Sequence, residues 1–240
     1  LENDICSLYS QLMEEIKIVQ KLEEERQIFL RGVTHELKTP IMIMGVTIES
    51  ILAGIDGYQD SQVAMQDCYQ TLQAMSNLVN EILDIAKIES VKDISTNTVN
   101  NIVEETLISY QPLLQDKQIQ VDLQMQDKME LTIPYNHLQK VVSNIISNAL
   151  KYTPNNGEFK ILINKTSAHF INTMYEDAKV DMDKVFKAFV TYDTKQTDLH
   201  KSHGLGLYII TAILEQYNIE YHSWIDEEQQ FHIEIGQKSR

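Results

Sequence analysis

The sequence is poor in the residue patterns that mark metal-bound, disulfide-linked or membrane-spanning chains. It holds only two cysteines, Cys6 and Cys68, and neither lies in a Cys/His spacing suited to zinc. No apolar run approaches the roughly 20 residues that a membrane-spanning helix needs, and no signal-peptide pattern opens the sequence. We therefore expect reduced thiols in a cytosolic protein, or in the cytosolic part of a longer one.

Basic side chains are also scarce. The chain has 35 acidic and 20 basic residues, a formal net charge of -15, and no local basic patch offsets this charge. Such a balance repels nucleic acid and anionic lipid. We expect no nucleic-acid partner, and any membrane attachment would come from segments absent from this sequence. The length of 240 residues predicts two modest domains, each with its own core.

The first third of the sequence has the apolar spacing of a helical hairpin. Apolar residues recur every three or four positions over 5–22 and again over 65–86, with the turn-like stretch "GIDGYQDSQ" between these regions. Pro40 should bend or locally break the first helix just after His35, because proline removes a backbone donor. We predict a hairpin over residues 3–89 whose apolar seam needs a partner, so that two copies form a four-helix bundle.

The remainder of the sequence alternates helix-like and strand-like patterns after a short linker near residues 90–97. We predict a helical-hairpin dimerisation domain over 1–92, followed over 93–240 by a two-layer α/β sandwich. The predicted helices of this second domain cover residues 100–117, 136–153, 181–189 and 204–218. Its predicted strands cover residues 119–125, 129–134, 159–165, 169–174, 219–226 and 231–236.

The stretch "GVTHELKTPIM" places His35 in the middle of the first predicted helix. Glu36 can accept the proton of one imidazole nitrogen and so raise the nucleophilicity of the other, and Thr39 lies one turn further along the same face. A zinc site of the type His-Glu-x-x-His is excluded, because no second histidine follows at that spacing. His35 is therefore either a nucleophile or a packed residue of the helix.

Polar side chains share one face of the predicted helix over 136–153. Asn144 and Asn148 lie four residues apart, and Lys151 and Tyr152 continue the same face one turn later. An asparagine side-chain oxygen suits Mg²⁺, which takes few protein ligands beside nucleotide phosphates, and a lysine ammonium can pair with those phosphates. A solvated helix face is the alternative interpretation.

A pair of glycines marks the entry of the last predicted helix, in "HGLGLYII". Gly204 and Gly206 allow close approach of the backbone, and the N–H groups and dipole of a helix N-terminus bind phosphate. A Gly-x-Gly pair alone is weak evidence. The pair becomes strong evidence for phosphate binding because it follows the stretch around His35 and the predicted helix that carries Asn144 and Asn148.

Four stretches, taken together, resemble the signature boxes of the sensor histidine kinases. "FLRGVTHELKTPI" resembles the phosphoacceptor box of this family, "NIISNALKYTP" its N box, "VFKAF" its F box and "HGLGLYII" its second glycine box. The resemblance covers nearly the whole chain. It implies a dimeric helical hairpin that carries the phosphorylated histidine, followed by an ATP-binding sandwich of the histidine-kinase-like ATPase type.

The resemblance also implies roles for individual residues, with ATP and Mg²⁺ as cofactors. His35 would be the phosphoacceptor, Glu36 its base, and Thr39 the residue that positions water for the reverse, phosphatase reaction. Asn148 would bind Mg²⁺. The implied nucleotide contacts are Asn144, Asn148, Lys151, Tyr152, Asn172, Gly204, Leu205 and Gly206.

The first glycine box departs from the family pattern, which normally reads Asp-x-Gly-x-Gly. Counting back from Phe186, this chain has "NTMYE": Asn172 replaces the aspartate that accepts a hydrogen bond from adenine, and Met174 and Glu176 replace both glycines. A neutral amide accepts more weakly, and neither replacement tolerates the positive φ open to glycine. The arginine that often follows the F box is Thr191 here. These changes point to weakened ATP binding.

The resemblance implies an ATP-dependent protein-histidine kinase that autophosphorylates His35 and transfers the phosphoryl group to an aspartate of a response regulator receiver domain. It would act as a homodimer, as the cytoplasmic part of a membrane-anchored sensor. A second hypothesis is a dimeric scaffold or phosphatase of the regulator with weak or no ATP binding. Lys195 and Lys201 could cover the phosphates as a lid, with a solvated loop as the alternative. Met42 and Met44 could dock the regulator, with partial burial under the ATP-binding domain as the alternative.

Overall fold

The computed structural model of the chain describes residues 2–55, 61–88, 94–191 and 203–236. Residue contacts divide the chain into two compact units, Leu1–Ile82 and Leu83–Arg240. This division falls earlier in the sequence than the domain boundary predicted between residues 92 and 93. Within the second unit, the Asp84 carboxylate pairs with the Lys140 ammonium.

Two long helices build the first unit, and they confirm the predicted hairpin. Helix α1 spans Glu2–Leu52, and helix α2, Ser61–Lys87, begins in this unit and ends in the second. Helix α1 continues through Pro40 without interruption, so a local break is excluded, and the bend just after His35 stays a prediction. The proline removes one backbone donor, but the turns on both sides keep their own hydrogen bonds and hold the helix together.

Large apolar side chains remain exposed along both helices of the hairpin. Leu12, Ile16, Val19 and Leu22 are exposed on α1, and so are Leu72 and Val79 on α2, where Met75 and Ile82 are half-buried. A helix of a soluble domain normally directs such a stripe toward a core. One copy of the chain therefore leaves most of the predicted seam uncovered.

The second unit contains three helices and two sheets among its described residues. A two-stranded antiparallel sheet pairs β1, Thr96–Thr98, with β3, Glu130–Thr132. The larger sheet has five strands, and in the order given next the first two are parallel and the other neighbouring pairs antiparallel. Its order is β2 (Gln120–Met125), β4 (Glu158–Ile163), β5 (Ser167–Thr173), β7 (Gln230–Gly236) and β6 (Glu220–Ile225). The helices are α3 (Val99–Asp116), α4 (Tyr135–Tyr152) and α5 (Gly206–Gln216).

The helices form one layer and the five-stranded sheet the other, which confirms the predicted sandwich. Burial alternates along β4 and β5, as expected for strands with one face on a core. The buried positions of β5 are Ala168, Phe170 and Asn172, and α4 packs against this strand and against α3 and α5. Helix α4 contributes the fully buried Leu138 and Leu150 to the core between the layers.

Two local predictions failed in this unit. Strand β1 lies in the polar "TNT" segment, which was predicted as part of the linker. The strand was missed because its pairing with β3 is not visible in its composition. The segment 181–189, predicted as a helix, forms a series of turns instead. The Asp181 side chain accepts from the backbone N–H of Asp183, and the next bonds span three residues, as from Lys187 N–H to Lys184 carbonyl. Such local acceptors compete with helix propagation.

Candidate functional site

His35 presents its imidazole to solvent from the middle of α1. Its side chain is 80% exposed, so the alternative of a packed helix residue is not what the structure shows. The Nδ1 atom lies 3.6 Å from Oε1 of Glu36, within ion-pair range and beyond hydrogen-bond length. The Thr39 hydroxyl donates to the backbone carbonyl of His35 over 3.2 Å, which places it one turn along the same face.

The two asparagines of α4 meet the first turn of α5. A Cβ atom built on Gly206 would lie 3.1 Å from Oδ1 of Asn144 and 3.2 Å from Nδ2 of Asn148. Asn144 donates its Nδ2 to the carbonyl of Lys140 over 2.8 Å, and this bond turns its amide oxygen toward α5. The structure therefore brings these three predicted site residues together, and any larger residue at position 206 would be tight against the two amides.

Gly204 makes an even closer approach just before α5. It has a positive φ of 68°, and a Cβ atom there would lie 2.5 Å from the carbonyl oxygen of Val190. The Phe189 N–H donates to the Gly204 carbonyl over 3.0 Å. Leu205 is buried between the two glycines. These contacts fix the N-terminus of α5. The N-terminus of a helix is a position that favours anions, because its dipole is positive there.

Lys151 and Tyr152 lie at the C-terminus of α4, both half-buried. The Lys151 ammonium lies 5.2 Å from the centroid of the Tyr152 ring, a cation–π distance. The carbonyls of this last turn accept hydrogen bonds from Lys117, a residue that the sequence reasoning did not single out. A lysine at the end of a predicted helix resembles any solvated surface lysine, so no sequence signal distinguished it.

Asn172 occupies the buried face of β5, opposite Phe159 and Phe231 in the neighbouring strands. Only 4% of the residue is exposed, and its Nδ2 donates to the backbone carbonyl of Thr173 over 3.1 Å. This bond uses one of the two Nδ2 protons, and the amide oxygen can accept from a ligand.

The chain after Asn172 follows the sheet rather than a glycine loop. Met174 is buried, and its N–H donates to the carbonyl of Gln229 over 3.1 Å. Gln229 has a positive φ of 58° in the turn that joins β6 and β7. Burial and the nearby Asp177 raise the pKa of the Tyr175 phenol, the burial having the larger effect. Lys195 and Lys201, proposed as lid residues, lie outside the described residues.

The residues around α4 and α5 suit a nucleotide with one Mg²⁺ ion. Within the described ranges, no group of three or more His, Cys, Asp or Glu side chains could hold a metal. Mg²⁺ bound to phosphates needs only one or two protein oxygens, and the amides of Asn144 and Asn148 beside an anion-binding helix end supply oxygens of this kind.

Comparison with known proteins gives the same two parts. The model of the His Kinase A (phospho-acceptor) domain matches residues 25–91, and that of the histidine kinase-, DNA gyrase B-, and HSP90-like ATPase matches residues 133–239. The chain belongs to the sensor histidine kinases. Among the kinases that it resembles, sensor histidine protein kinase HK06 of Streptococcus pneumoniae strain D39 is 30% identical over 206 residues, which are 85% of this chain and 46% of that protein.

A second relative, the sensor protein VanSB of Enterococcus faecalis, is 26% identical over 237 residues, 92% of this chain and 53% of that protein. The chain thus spans about half the length of these curated histidine kinases. Its fold is similar to that of the Acinetobacter baumannii histidine kinase AdeS, with a TM-score of 0.63, 16% identity, and coverage of 85% of this chain and 98% of that one. Among the described residues, no helix has the length and apolarity needed to cross a membrane.

Proposed function

We propose that this histidine kinase chain autophosphorylates His35 from MgATP and then passes the phosphoryl group to an aspartate of a response regulator. The observation that carries the proposal is the contact between Asn144, Asn148 and Gly206, where amide oxygens meet the N-terminus of α5. Phosphoryl transfer requires mainly positioning and charge neutralisation, which this arrangement supplies. Asn148 would hold Mg²⁺, which neutralises phosphate charge when bound.

The geometry at His35 supports Nε2 as the attacking atom. Glu36 lies on the Nδ1 side, so a proton on Nδ1 leaves the lone pair on Nε2. In the proposed step Nε2 bonds to the γ-phosphorus, the bond from that phosphorus to the bridging oxygen breaks, and ADP leaves with the electron pair. Glu36 holds or accepts the Nδ1 proton. The later transfer forms an aspartyl phosphate on the regulator and returns the imidazole.

A homodimer and a receiver domain are the partners that we propose. The uncovered apolar side chains of α1 and α2 support the dimer. A structure of the histidine kinase ThkA in complex with the response regulator protein TrrA has a fold similar to this chain, with a TM-score of 0.66, 20% identity, and coverage of 95% of this chain and 66% of that one. Beyond His35, α1 exposes Ile41, Met42, Ile43 and Val46, a surface for such a partner, whereas Met44 is half-buried. The cytoplasmic location within a membrane-anchored sensor stays a prediction.

Incubation with γ-labelled ATP and Mg²⁺ tests the proposal. We expect acid-labile, base-stable label on the wild type, none on His35→Gln, and normal nucleotide binding by that variant. Asn148→Ala should lose Mg²⁺-dependent binding and keep its thermal stability. Label that persists on His35→Gln would assign the acceptor elsewhere.

The altered first glycine box favours a second function, a dimeric phosphatase or scaffold with weak ATP binding. Met174 and Glu176 stand where the family has glycines, and the loop follows a different path. Wild-type protein that binds no nucleotide at millimolar concentration, yet dephosphorylates a phosphorylated receiver domain, would select this function. Thr39→Ala should then abolish the phosphatase activity, because its hydroxyl is the group proposed to position water.

A further inference from the structure

We propose that Lys117 is a positioning residue for nucleotide binding, which it serves by holding the C-terminal turn of α4. Its ammonium donates to three backbone carbonyls: Leu150 over 2.6 Å, Thr153 over 2.7 Å and Lys151 over 3.2 Å. An ammonium has three donors, so this set uses all of them.

Two of these three acceptors belong to the last turn of α4, where helix carbonyls lack intrahelical donors. Lys117 therefore caps the helix with a full positive charge at the negative end of its dipole. Burial lowers the pKa of this ammonium, which agrees with its position among carbonyls rather than in water. The Thr153 N–H and hydroxyl both donate to the Ala149 carbonyl, over 2.9 and 2.6 Å, and complete the turn.

The backbone at Lys117 and just after it reinforces the same contact. Its carbonyl accepts from the Asn156 N–H over 2.9 Å, and the Gln120 N–H donates to the Gly157 carbonyl over 2.9 Å. The connection between α3 and β2 is therefore bonded to the connection between α4 and β4 through main chain and side chain together. The end of α4 cannot shift without loss of several of these bonds.

The turn that Lys117 holds carries Lys151 and Tyr152, two of the proposed nucleotide contacts. Lys117 bonds to the carbonyl of Lys151 itself, so the cap fixes the backbone from which that side chain extends. A frayed last turn would leave both side chains without a fixed direction, and an ordering cost would then be added to nucleotide binding. The inference rests on the proposed function, because it assigns a role to residues that bind ATP only under that proposal.

The experiment compares Lys117→Met with wild type at a temperature well below unfolding. Two quantities are measured: the dissociation constant of MgATP, and the rate of His35 labelling at saturating ATP. The expected result is a dissociation constant raised about fivefold, the size of a lost helix cap, and an unchanged saturating rate. A purely structural role would lower the fraction of active protein and leave the affinity of the folded fraction unchanged, which would overturn the inference.

Two further variants complete the experiment. Lys117→Arg keeps a cationic cap and should restore most of the affinity, whereas Lys128→Met removes an exposed lysine and should match wild type. If Lys117→Met does not fold, Lys117→Gln takes its place, and equal affinities of Lys117→Gln, Lys117→Arg and wild type overturn the inference. Wild-type protein that binds no MgATP would overturn the proposed function and this inference together, a result distinct from failure of the variants alone.

Discussion

Gly206 leaves room for the side chain of Asn148, and a Cβ atom at position 206 would make tight contacts with the amides of Asn148 and Asn144. The Nδ2 atom of Asn148 would lie 3.2 Å from a Cβ atom at this position, and the Oδ1 atom of Asn144 would lie 3.1 Å from it. A methyl group at this position therefore requires one or both amides to shift by a few tenths of an ångström. The proposed Mg²⁺ and phosphate contacts depend on those amides, so this packing contact links α5 to ligand binding.

Gly206→Ala should weaken MgATP binding about tenfold, which corresponds to about 1.4 kcal/mol and lies within the usual cost of an overpacked contact. The matched control is Gly45→Ala in α1, where a Cβ atom has no neighbour within 4 Å. That change should stabilise the helix by up to about 1 kcal/mol and leave nucleotide binding unchanged. Calorimetric titration of both variants with MgATP measures the difference. Equal affinity of Gly206→Ala and wild type would separate these amides from the nucleotide site.

Asn172→Asp should tighten ATP binding by about 1 kcal/mol, because a carboxylate accepts the adenine amino group through a charge-assisted bond. The same change should lower the free energy of unfolding, because the carboxylate cannot donate to the Thr173 carbonyl as Nδ2 now does over 3.1 Å. Titration should therefore show a higher affinity for ATP, and thermal unfolding should show a lower stability. Asn155→Asp, at an exposed position, is the control and should change neither. Weaker binding by Asn172→Asp would show that another group reads the base.

Periodicity was sufficient to predict the hairpin and the sandwich, because long elements with one buried face repeat their pattern many times. Asn144, Asn148 and the two glycines were also predictable, since helical spacing and a helix entry define where they lie. Lys117 was not, because its role depends on carbonyls more than thirty residues away in sequence, as the 33-residue separation from Leu150 shows. The turns at 181–189 failed for a related reason: the side chain of Asp181 competes locally with helix formation, and a periodic pattern does not record that competition.

Leu72→Lys should dissociate the proposed homodimer. Leu72 is 53% exposed in one copy of the chain, on the face that holds Met75 and Val79. Loss of one buried leucine per protomer, at about 2 kcal/mol each, should raise the dimer dissociation constant at least about a hundredfold. Gln73→Lys adds the same charge one position away and should leave the dimer intact. Sedimentation equilibrium measures both constants, and a wild-type chain that is monomeric at micromolar concentration would contradict the prediction.

A pair of histidines should make the free energy of unfolding depend on pH. They lie on the face of the five-stranded sheet opposite the one that holds Phe170 and Asn172. His169 Nε2 lies 3.0 Å from Nδ1 of His232, whose Nε2 lies 3.0 Å from Oδ2 of Asp226. Only one of the two facing ring nitrogens can carry a proton in this contact, so full protonation of both imidazoles would set two N–H groups against each other. Trp224, the sole tryptophan, stacks on the His232 ring with centroids 4.7 Å apart and reports on the pair by fluorescence.

Burial and the neighbouring His232 hold the pKa of His169 below its ordinary value of 6.5, and Glu234 opposes this shift in part. The unfolded chain therefore binds the proton more readily than the folded one, and the stability from this site is complete above about pH 6.5 and is lost as the pH falls through the lower folded pKa. Urea unfolding followed by Trp224 emission at several pH values below 7 should show this loss. His169→Gln keeps a donor toward His232 but cannot titrate, so its stability should fall less steeply with acid, whereas the exposed His222→Gln should retain the wild-type slope. Equal slopes for wild type and His169→Gln would exclude this histidine as the source of the pH dependence.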